Sequence, residues 1–450
     1  MDDDLRKLFG TDGIRGVANE DLTPELALRT GRAVSVFLIK EGKKGKILIG
    51  KDSRPSGDFL EAALTAGILS SGNDVYGAGI LSTPAIALLV KVLNMDGGIV
   101  ISASHNPLED NGIKVFKAGG EKLSDEQEKS IEEYILNEKV FDLENPVGLE
   151  VGRFKTLSNA SEIYIENILR EFSFDLKNLK VAVDCANGAT SIAVPEVLSK
   201  YGANVISYNV DIESGLINKN CGSTHPEVLR QIVKESSAEI GFSYDGDGDR
   251  VIGCDNRGRI FDGDVLMAFC AINMKKKGML KNNSVVTTIM ANYGFEKAMI
   301  ENGIEVYKTK VGDRYVFEKM TETGSILGGE QSGHIIFKNF SNIGDGLVST
   351  LIFLEFLKES GIKIGEIYDI IEHYPQLLKN LKVRNKAEIM QSSELKQKIS
   401  EAESRLSGNG KVIVRSSGTE PIVRVMVEAR TLELASEIQE NICDFILQFK

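Results

Sequence analysis

A chain of 450 residues carries 53 Lys plus Arg against 65 Asp plus Glu, a formal charge of -12, and its length suits about three domains with cores of their own. The acidic balance argues against nucleic acid and against an anionic membrane surface as partners, so any anionic ligand has to meet a local basic pocket. No apolar run reaches the roughly 20 residues of a membrane span, and Met1-Asp-Asp-Asp4 lacks the basic start of a signal peptide, so a cytoplasmic protein is predicted. Cys185, Cys221, Cys254, Cys270 and Cys443 form no CxxC pair and are read as reduced and mostly buried, not as a disulfide framework or a zinc site.

Taken in order, the chain opens with Phe9-Gly-Thr-Asp-Gly-Ile-Arg-Gly16, whose glycines let backbone amides approach an anion and whose Arg15 adds a fork of donors. A tight turn with a solvated arginine is the alternative. Thr23 then caps a predicted helix with Pro24 in its first turn. From there a pattern recurs: an apolar strand at Ile47 to Asp52, a helix to Ser71, Gly72 as a stop, and a second strand at Asp74 to Ile80. It returns as Val181 to Ala186, a helix, Gly202, and Asn204 to Val210, and again as Val285 to Met290, a helix, Gly303, and Glu305 to Val311. Strand, helix, glycine stop and strand, repeated, predict three similar α/β domains with right-handed crossovers.

The region after Tyr374-Pro-Gln376 reads differently. It has a strand around Leu381 to Val383, a polar helix from Ser392 to Leu406, paired strands over Lys411 to Glu428, and a helix from Leu432 to Phe449, the pattern of a smaller α+β domain. The polar stretch Gly148 to Ser161 and the segment Cys254 to Arg259 mark the other joints, so the domains are expected at 1–154, 155–256, 257–371 and 372–450.

Four loops carry chemistry. Gly98 to Ile101 reads as a buried strand that runs into Ser102-Ala-Ser-His-Asn-Pro107, and open α/β sheets put their reactive groups at such strand ends. Ser104 sits at the tip of this loop with His105 beside it, although an ordinary Ser/Asn/Pro turn has the same composition. In the second domain Asp245-Gly-Asp-Gly-Asp-Arg250 sets three carboxylates at alternate positions, a spacing suited to one hard divalent cation such as Mg²⁺. An EF-hand would need Gly and Glu where Arg250 and Asn256 stand, and an acidic surface turn would have to tolerate the repulsion of three crowded charges.

Gly328-Gly-Glu-Gln-Ser-Gly-His334 presents Glu330, Ser332 and His334 as hydrogen-bonding groups for sugar hydroxyls or an amino group, or forms a glycine-rich turn. Val414-Arg-Ser-Ser-Gly-Thr-Glu-Pro421, with Arg424 behind it, has the parts of a phosphate clamp and also those of a hairpin turn. No GxxxxGK[ST] nucleotide loop occurs, which argues against a kinase.

Together and in this order, the four loops resemble the α-D-phosphohexomutase superfamily from Leu8 to Glu428. Within it Phe9 to Gly16, Cys221-Gly-Ser-Thr-His-Pro-Glu227, the Gln331 form of the sugar loop and Arg424-Val-Met-Val-Glu428 resemble the phosphoglucosamine mutases. The resemblance implies four domains around a central cleft, phosphorylation at Ser104, and one Mg²⁺ held by Ser104, Asp245, Asp247 and Asp249. It implies substrate contacts from Glu330, Ser332, Arg250, Arg415, Ser416, Ser417, Gly418, Thr419 and Arg424. Lys114, Arg15, His105 and His334 are the candidates for the phosphoserine surroundings and for proton transfer.

The implied reaction moves phosphate between O6 and O1 of a hexosamine through a 1,6-bisphosphate, which also serves as activator. Dimers are common among such relatives, so a homodimer is admitted as the assembly. A broader glucose or mannose phosphate mutase and a non-enzymatic sugar-phosphate sensor are the competing readings.

Overall fold

The computed structural model describes residues 8–10, 12–39, 43–136, 145–416 and 421–449. Its secondary structure follows local chemistry closely. Thr23 Oγ1 accepts the Leu26 amide at 3.2 Å and Pro24 opens the helix Pro24–Leu38, an arrangement whose loss by Thr23→Ala costs about 1 kcal/mol in helices generally. That helix buries Ala27, Ala33 and Val34 against Leu60, Leu64 and Ile68 of the helix Ser56–Ser70.

The first sheet has eight strands among the described residues, and its path runs Phe9–Gly10, Gly13–Val17, Asp110–Lys117, Gly97–Ile101, Lys46–Lys51, Asp74–Ile80 and Phe154–Thr156. Lys46–Lys51 pairs in parallel with both Asp74–Ile80 and Gly97–Ile101, while Gly97–Ile101 and Asp110–Lys117 run antiparallel. The central strands are buried on both faces, as the continuous apolar runs Ile47-Leu-Ile49 and Ile99-Val-Ile101 require.

The stretch read as a polar joint after Gly148 contributes the short strand Phe154–Thr156, which pairs in parallel with Asp74–Ile80. Asp74 draws it in, because its carboxylate accepts the Arg153 amide at 2.9 Å. A free sheet edge offers such a ladder to any extended segment beside it.

The second sheet runs Asn204–Tyr208, Lys180–Asp184, Ile240–Tyr244, Val251–Asp255 and Ile260–Phe261, and the third runs Glu305–Thr309, Ser284–Thr288, Leu327–Gly329 and Ile335–Phe337. The C-terminal sheet is antiparallel in the order Gln376–Lys382, Ile422–Ala429 and Gly410–Ser416, and the helix Leu432–Leu447 buries Ile438, Ile442 and Ile446 in the core it shares with the sheet. Three α/β domains and a smaller α+β domain are therefore present. No helix among the described residues is long and apolar enough to cross a membrane, and the five cysteines are free and buried.

The chain divides into two compact units, 1–289 with 307–368, and 290–306 with 369–450. The helix Tyr293–Glu301, part of the third repeat in sequence, thus belongs with the C-terminal sheet. The Tyr293 amide donates to Glu428 Oε1 at 2.6 Å, Asn292 Nδ2 donates to the Tyr374 carbonyl at 2.9 Å, and the Tyr293 and Tyr374 rings meet edge to face. Periodicity identifies this helix but carries no information about which neighbour packs on it.

Candidate active site

The strand Gly97–Ile101 delivers its last buried residue to a loop built around an unusual backbone. Ser104 has φ +53° and is 1% exposed, a left-handed conformation that a non-glycine residue adopts only when its surroundings impose it. Those surroundings are visible. The fully buried Arg54 guanidinium donates to the carbonyls of Ser104 at 3.1 Å, Asn106 at 2.8 Å and Asp110 at 2.9 Å, and also to that of Pro107. Its Nε is held by Asp52 at 3.0 Å. From the second domain, Asn218 Nδ2 donates to the same Ser104 carbonyl at 2.8 Å, and Ser102 Oγ accepts the Ser104 amide at 2.9 Å. The serine therefore turns inward at the loop tip, and its Oγ donates to Asp245 Oδ2 at 2.6 Å.

Asp245, Asp247 and Asp249 follow the buried strand Ile240–Tyr244, and each offers an oxygen within 4.8 Å of the others. A glycine is required between them: a Cβ on Gly246 would meet the Ser104 carbonyl oxygen at 2.8 Å. Burial pushes the Asp245 carboxyl well above its usual range, and the charges of Asp249 and Asp247 push the same way. Burial alone would raise Asp249 as well, but Lys114, His334 and Arg250 outweigh it and hold that carboxyl well below. Asp247 accepts from Lys114 Nζ at 2.8 Å and from Thr83 Oγ1. Asp247 Oδ1 and Asp249 Oδ1 remain buried with no hydrogen-bond partner among the described residues. Orphaned carboxylate oxygens beside a serine Oγ suit a hard cation such as Mg²⁺, which takes few carboxylates and completes its shell with other oxygens.

The predicted cations are present around this cluster. Lys114 lies 2.9 Å from Asp12 and 3.7 Å from Asp249, and Arg15 lies 2.6 Å from Asp12. Burial opposes the Lys114 charge, but Asp12, Asp247 and Asp249 outweigh it and raise the pKa, so Lys114 stays an ammonium. Arg250 Nε is 3.8 Å from Asp249. His105 Nδ1 is 3.3 Å from Ser104 Oγ, and burial, helped by Arg250 and Arg15, lowers the ring to about 4, leaving a neutral imidazole at pH 7.

His334 is buried between Asp249 at 3.5 Å and Asp313 at 3.6 Å, and its Nε2 accepts the Gly344 amide at 3.0 Å. Burial lowers its basicity, Asp249 and Asp313 raise it, and the net shift is upward. Both of its ring nitrogens are engaged by protein. Glu330 Oε1 accepts the Gly312 amide at 3.1 Å, Gln331 Nε2 donates to Asp262 at 3.3 Å, and Ser332 is exposed.

Several residues of this network carry no motif signal of their own. Asp12 lies inside the glycine-rich opening stretch and Arg54 just past the strand Lys46–Lys51, so the strand-end rule that picked out Ser104 reaches Arg54 too. Lys122, Asp313, Asn218 and Thr83 have no comparable marker.

In the C-terminal unit Arg415 and Arg424 are direct cross-strand partners. Burial and the Arg424 charge both lower the Arg415 pKa. Like charges directly opposite on a sheet are destabilising, and an anion between two guanidiniums removes that cost. Ser416 is exposed, while Ser417, Gly418 and Thr419 lie outside the described residues.

Comparisons with known proteins agree along the chain. The four phosphoglucomutase/phosphomannomutase domain descriptions match it: the α/β/α domains I, II and III at residues 6–141, 162–258 and 262–374, and the C-terminal domain at 378–445. It is 48% identical over 444 residues to a phosphoglucosamine mutase of a Thermoanaerobacter species, covering 98% of this chain and 99% of that protein. It is 46% identical over 442 residues to that of Geobacillus thermodenitrificans, covering 98% of each. Among solved structures, a phosphoglucomutase/phosphomannomutase family protein of Burkholderia thailandensis shares the fold with TM-score 0.79 at 24% identity, covering 96% of this chain and 95% of that one. The Aspergillus fumigatus N-acetylphosphoglucosamine mutase, solved with GlcNAc-6P and magnesium, shares it with TM-score 0.69 at 19% identity, covering 98% and 96%.

Proposed function

The chain belongs to the phosphoglucomutase/phosphomannomutase family, and from that premise we propose that it interconverts glucosamine 6-phosphate and glucosamine 1-phosphate by way of a phosphorylated Ser104. The observation that carries the reading is Ser104 Oγ at 2.6 Å from Asp245, beside two buried carboxylate oxygens that accept no hydrogen bond among the described residues. Asp245, Asp247 and Asp249, with the Ser104 phosphate, would hold one Mg²⁺. That ion supplies charge neutralisation for the phosphoryl group.

The protein's own part is positioning and electrostatics, as phosphoryl transfer requires. In the forward step the bond between phosphorus and Ser104 Oγ breaks, a bond from phosphorus to the sugar's free hydroxyl oxygen forms, and the hydroxyl proton leaves to a base. The 1,6-bisphosphate then turns and returns its other phosphoryl to Ser104. Lys114, raised and locked as an ammonium, serves as a counter-charge. The His105 ring, 3.3 Å from Ser104 Oγ, and His334 are the candidates to take the hydroxyl proton.

Glu330, Ser332 and Arg250 are assigned to the sugar, and Arg415, Ser416, Ser417, Gly418, Thr419 and Arg424 to the phosphate that is not reacting. The 48% identity to a phosphoglucosamine mutase supports the amino sugar as substrate. To this reading we attach a cytoplasmic setting, hexose 1,6-bisphosphate as activator, and a homodimer to be checked by sedimentation.

The test is kcat/KM with Mg²⁺ and a trace of glucose 1,6-bisphosphate, comparing glucosamine 6-phosphate with glucose and mannose phosphates. A preference of about tenfold or more for the amino sugar is expected, because one polar contact is worth at least that much in discrimination. Equal or better turnover of the hexose phosphates would leave the mechanism and move the substrate to the broader class. A protein that cannot be charged with phosphate at Ser104 would be a sensor.

A further inference from the structure

Lys122 stands on the two-residue strand Glu121–Lys122 that pairs with Asp110–Lys117, and its side chain is only 16% exposed. Its ammonium lies 2.5 Å from Asp12 Oδ1 and makes a second ion pair with Asp313 Oδ2. Each carboxylate leads to a different part of the site. The other oxygen of Asp12 holds Arg15 at 2.6 Å and Lys114 at 2.9 Å, and Lys114 reaches Asp247 at 2.8 Å. Asp313 opens the helix Asp313–Thr323 and lies 3.6 Å from His334. The residue before it, Gly312, donates its amide to Glu330 at 3.1 Å.

A chain of polar contacts, with one backbone step from Gly312 to Asp313, therefore joins the sugar-loop glutamate to the cations around Ser104, and one ammonium sits at its middle. Burial gives that ammonium leverage. Removing one partner from a buried ionic cluster leaves the others less compensated, so losing the charge between Asp12 and Asp313 removes the cation they share. Burial alone would raise the Asp12 carboxyl; Lys114, Lys122 and Arg15 outweigh it and hold it well below its usual range.

We propose that Lys122 is a positioning residue that couples sugar recognition at Glu330 to the aim of Arg15 and Lys114 at the phosphoserine. The proposal rests on the mutase reading above and extends it, since Lys122 touches no reacting atom. Spatial continuity alone does not establish coupling, whereas a double-mutant cycle measures it.

The experiment uses the full chain charged with glucose 1,6-bisphosphate in Mg²⁺, and measures kcat and KM for Lys122→Met, Lys122→Arg, Glu330→Ala, which removes the acceptor of the Gly312 amide, and the Lys122→Met/Glu330→Ala pair. Lys122→Met is expected to lower kcat/KM about 100-fold, with kcat falling and KM rising, because both ends of the chain lose their anchor. Lys122→Arg, which keeps the charge, is expected to recover to within about fivefold. In the Glu330→Ala background the loss caused by Lys122→Met should shrink to about tenfold.

Equal losses in both backgrounds, or an arginine variant as poor as the methionine one, would overturn the proposal and leave Lys122 a structural residue. Should Lys122→Met fail to fold, Asp313→Asn takes its place in the same cycle with the same criterion. The ratios are read on whichever hexose phosphate the wild type turns over, so a shift in substrate class leaves the test intact. A wild type without any turnover would sink the mutase reading alone, and the cycle would then be read as glucose 6-phosphate affinity by calorimetry.

Discussion

Asp245, Asp247 and Asp249 crowd three buried carboxylates into one loop, whereas Arg415 and Arg424 set two guanidiniums opposite each other on neighbouring strands of the C-terminal sheet. Both arrangements oppose like charges, and the protein treats them differently. Around the aspartates it supplies its own cations, Lys114 at 2.8 Å from Asp247 and Arg250 at 3.8 Å from Asp249, with the His334 ring 3.5 Å from Asp249. Asp247 Oδ1 and Asp249 Oδ1 are left there without a hydrogen bond among the described residues. Across the arginine pair the repulsion is still felt, since Arg424 helps lower the Arg415 pKa. On the proposed reading, the first is a centre organised before substrate arrives and the second a place that receives an anion. Electrostatic preorganisation belongs where charge is transferred, and ligand-completed sites belong where a group must be held and then released.

The sharpest way to break this contrast is Ser104→Ala. It removes the oxygen that would carry the phosphoryl group in the proposed mechanism and should cost at least about a thousandfold in mutase turnover, read by a coupled assay. Unchanged turnover would end the phosphoserine mechanism and with it the special status of the aspartate loop.

Arg415→Ala should act on the other side of the comparison. The expected effect is a KM rise of about ten- to a hundredfold, the scale of a lost charge-assisted contact to phosphate, while Ser104 still takes up phosphate from the bisphosphate by mass. A normal KM would show that the arginine pair does not grip the substrate.

The smallest effect concerns the far end of the same strand pair, where Lys411 faces Glu428 in register at 3.5 Å. Burial pushes the Glu428 carboxyl up to about 7 against the pull of Lys411. Between the ordinary carboxyl range and about 7, the folded state holds a proton that the unfolded state has lost. This contribution to stability is complete at low pH and is lost as pH rises through about 7. Glu428→Gln lacks that loss, so its melting temperature should gain on the wild type between pH 5 and pH 8. A difference that does not change with pH would mean that Glu428 is ionised throughout.

Much of this protein is written locally. Apolar runs such as Ile47-Leu-Ile49, Thr23 at a helix start and the glycine stops Gly72, Gly202 and Gly303 specify elements through neighbours a few residues away, and the reactive loops announce themselves by abrupt changes of composition at strand ends. By itself the sequence determined the succession of three α/β units and one α+β unit, the serine in its loop and the three alternating aspartates, while the pairing of Arg415 with Arg424 came from the structure.

Only the tertiary structure decided what surrounds them. Lys122 meets Asp12 across 110 positions and Asp313 across 191, and Asn218 reaches the Ser104 carbonyl across 114. The helix Tyr293–Glu301 joined the C-terminal unit and not its sequence neighbours. Local patterning records how each segment hides its apolar face. A buried lysine shared by two carboxylates leaves no periodic trace, because the ion pairs that make its burial tolerable come from segments far apart in sequence.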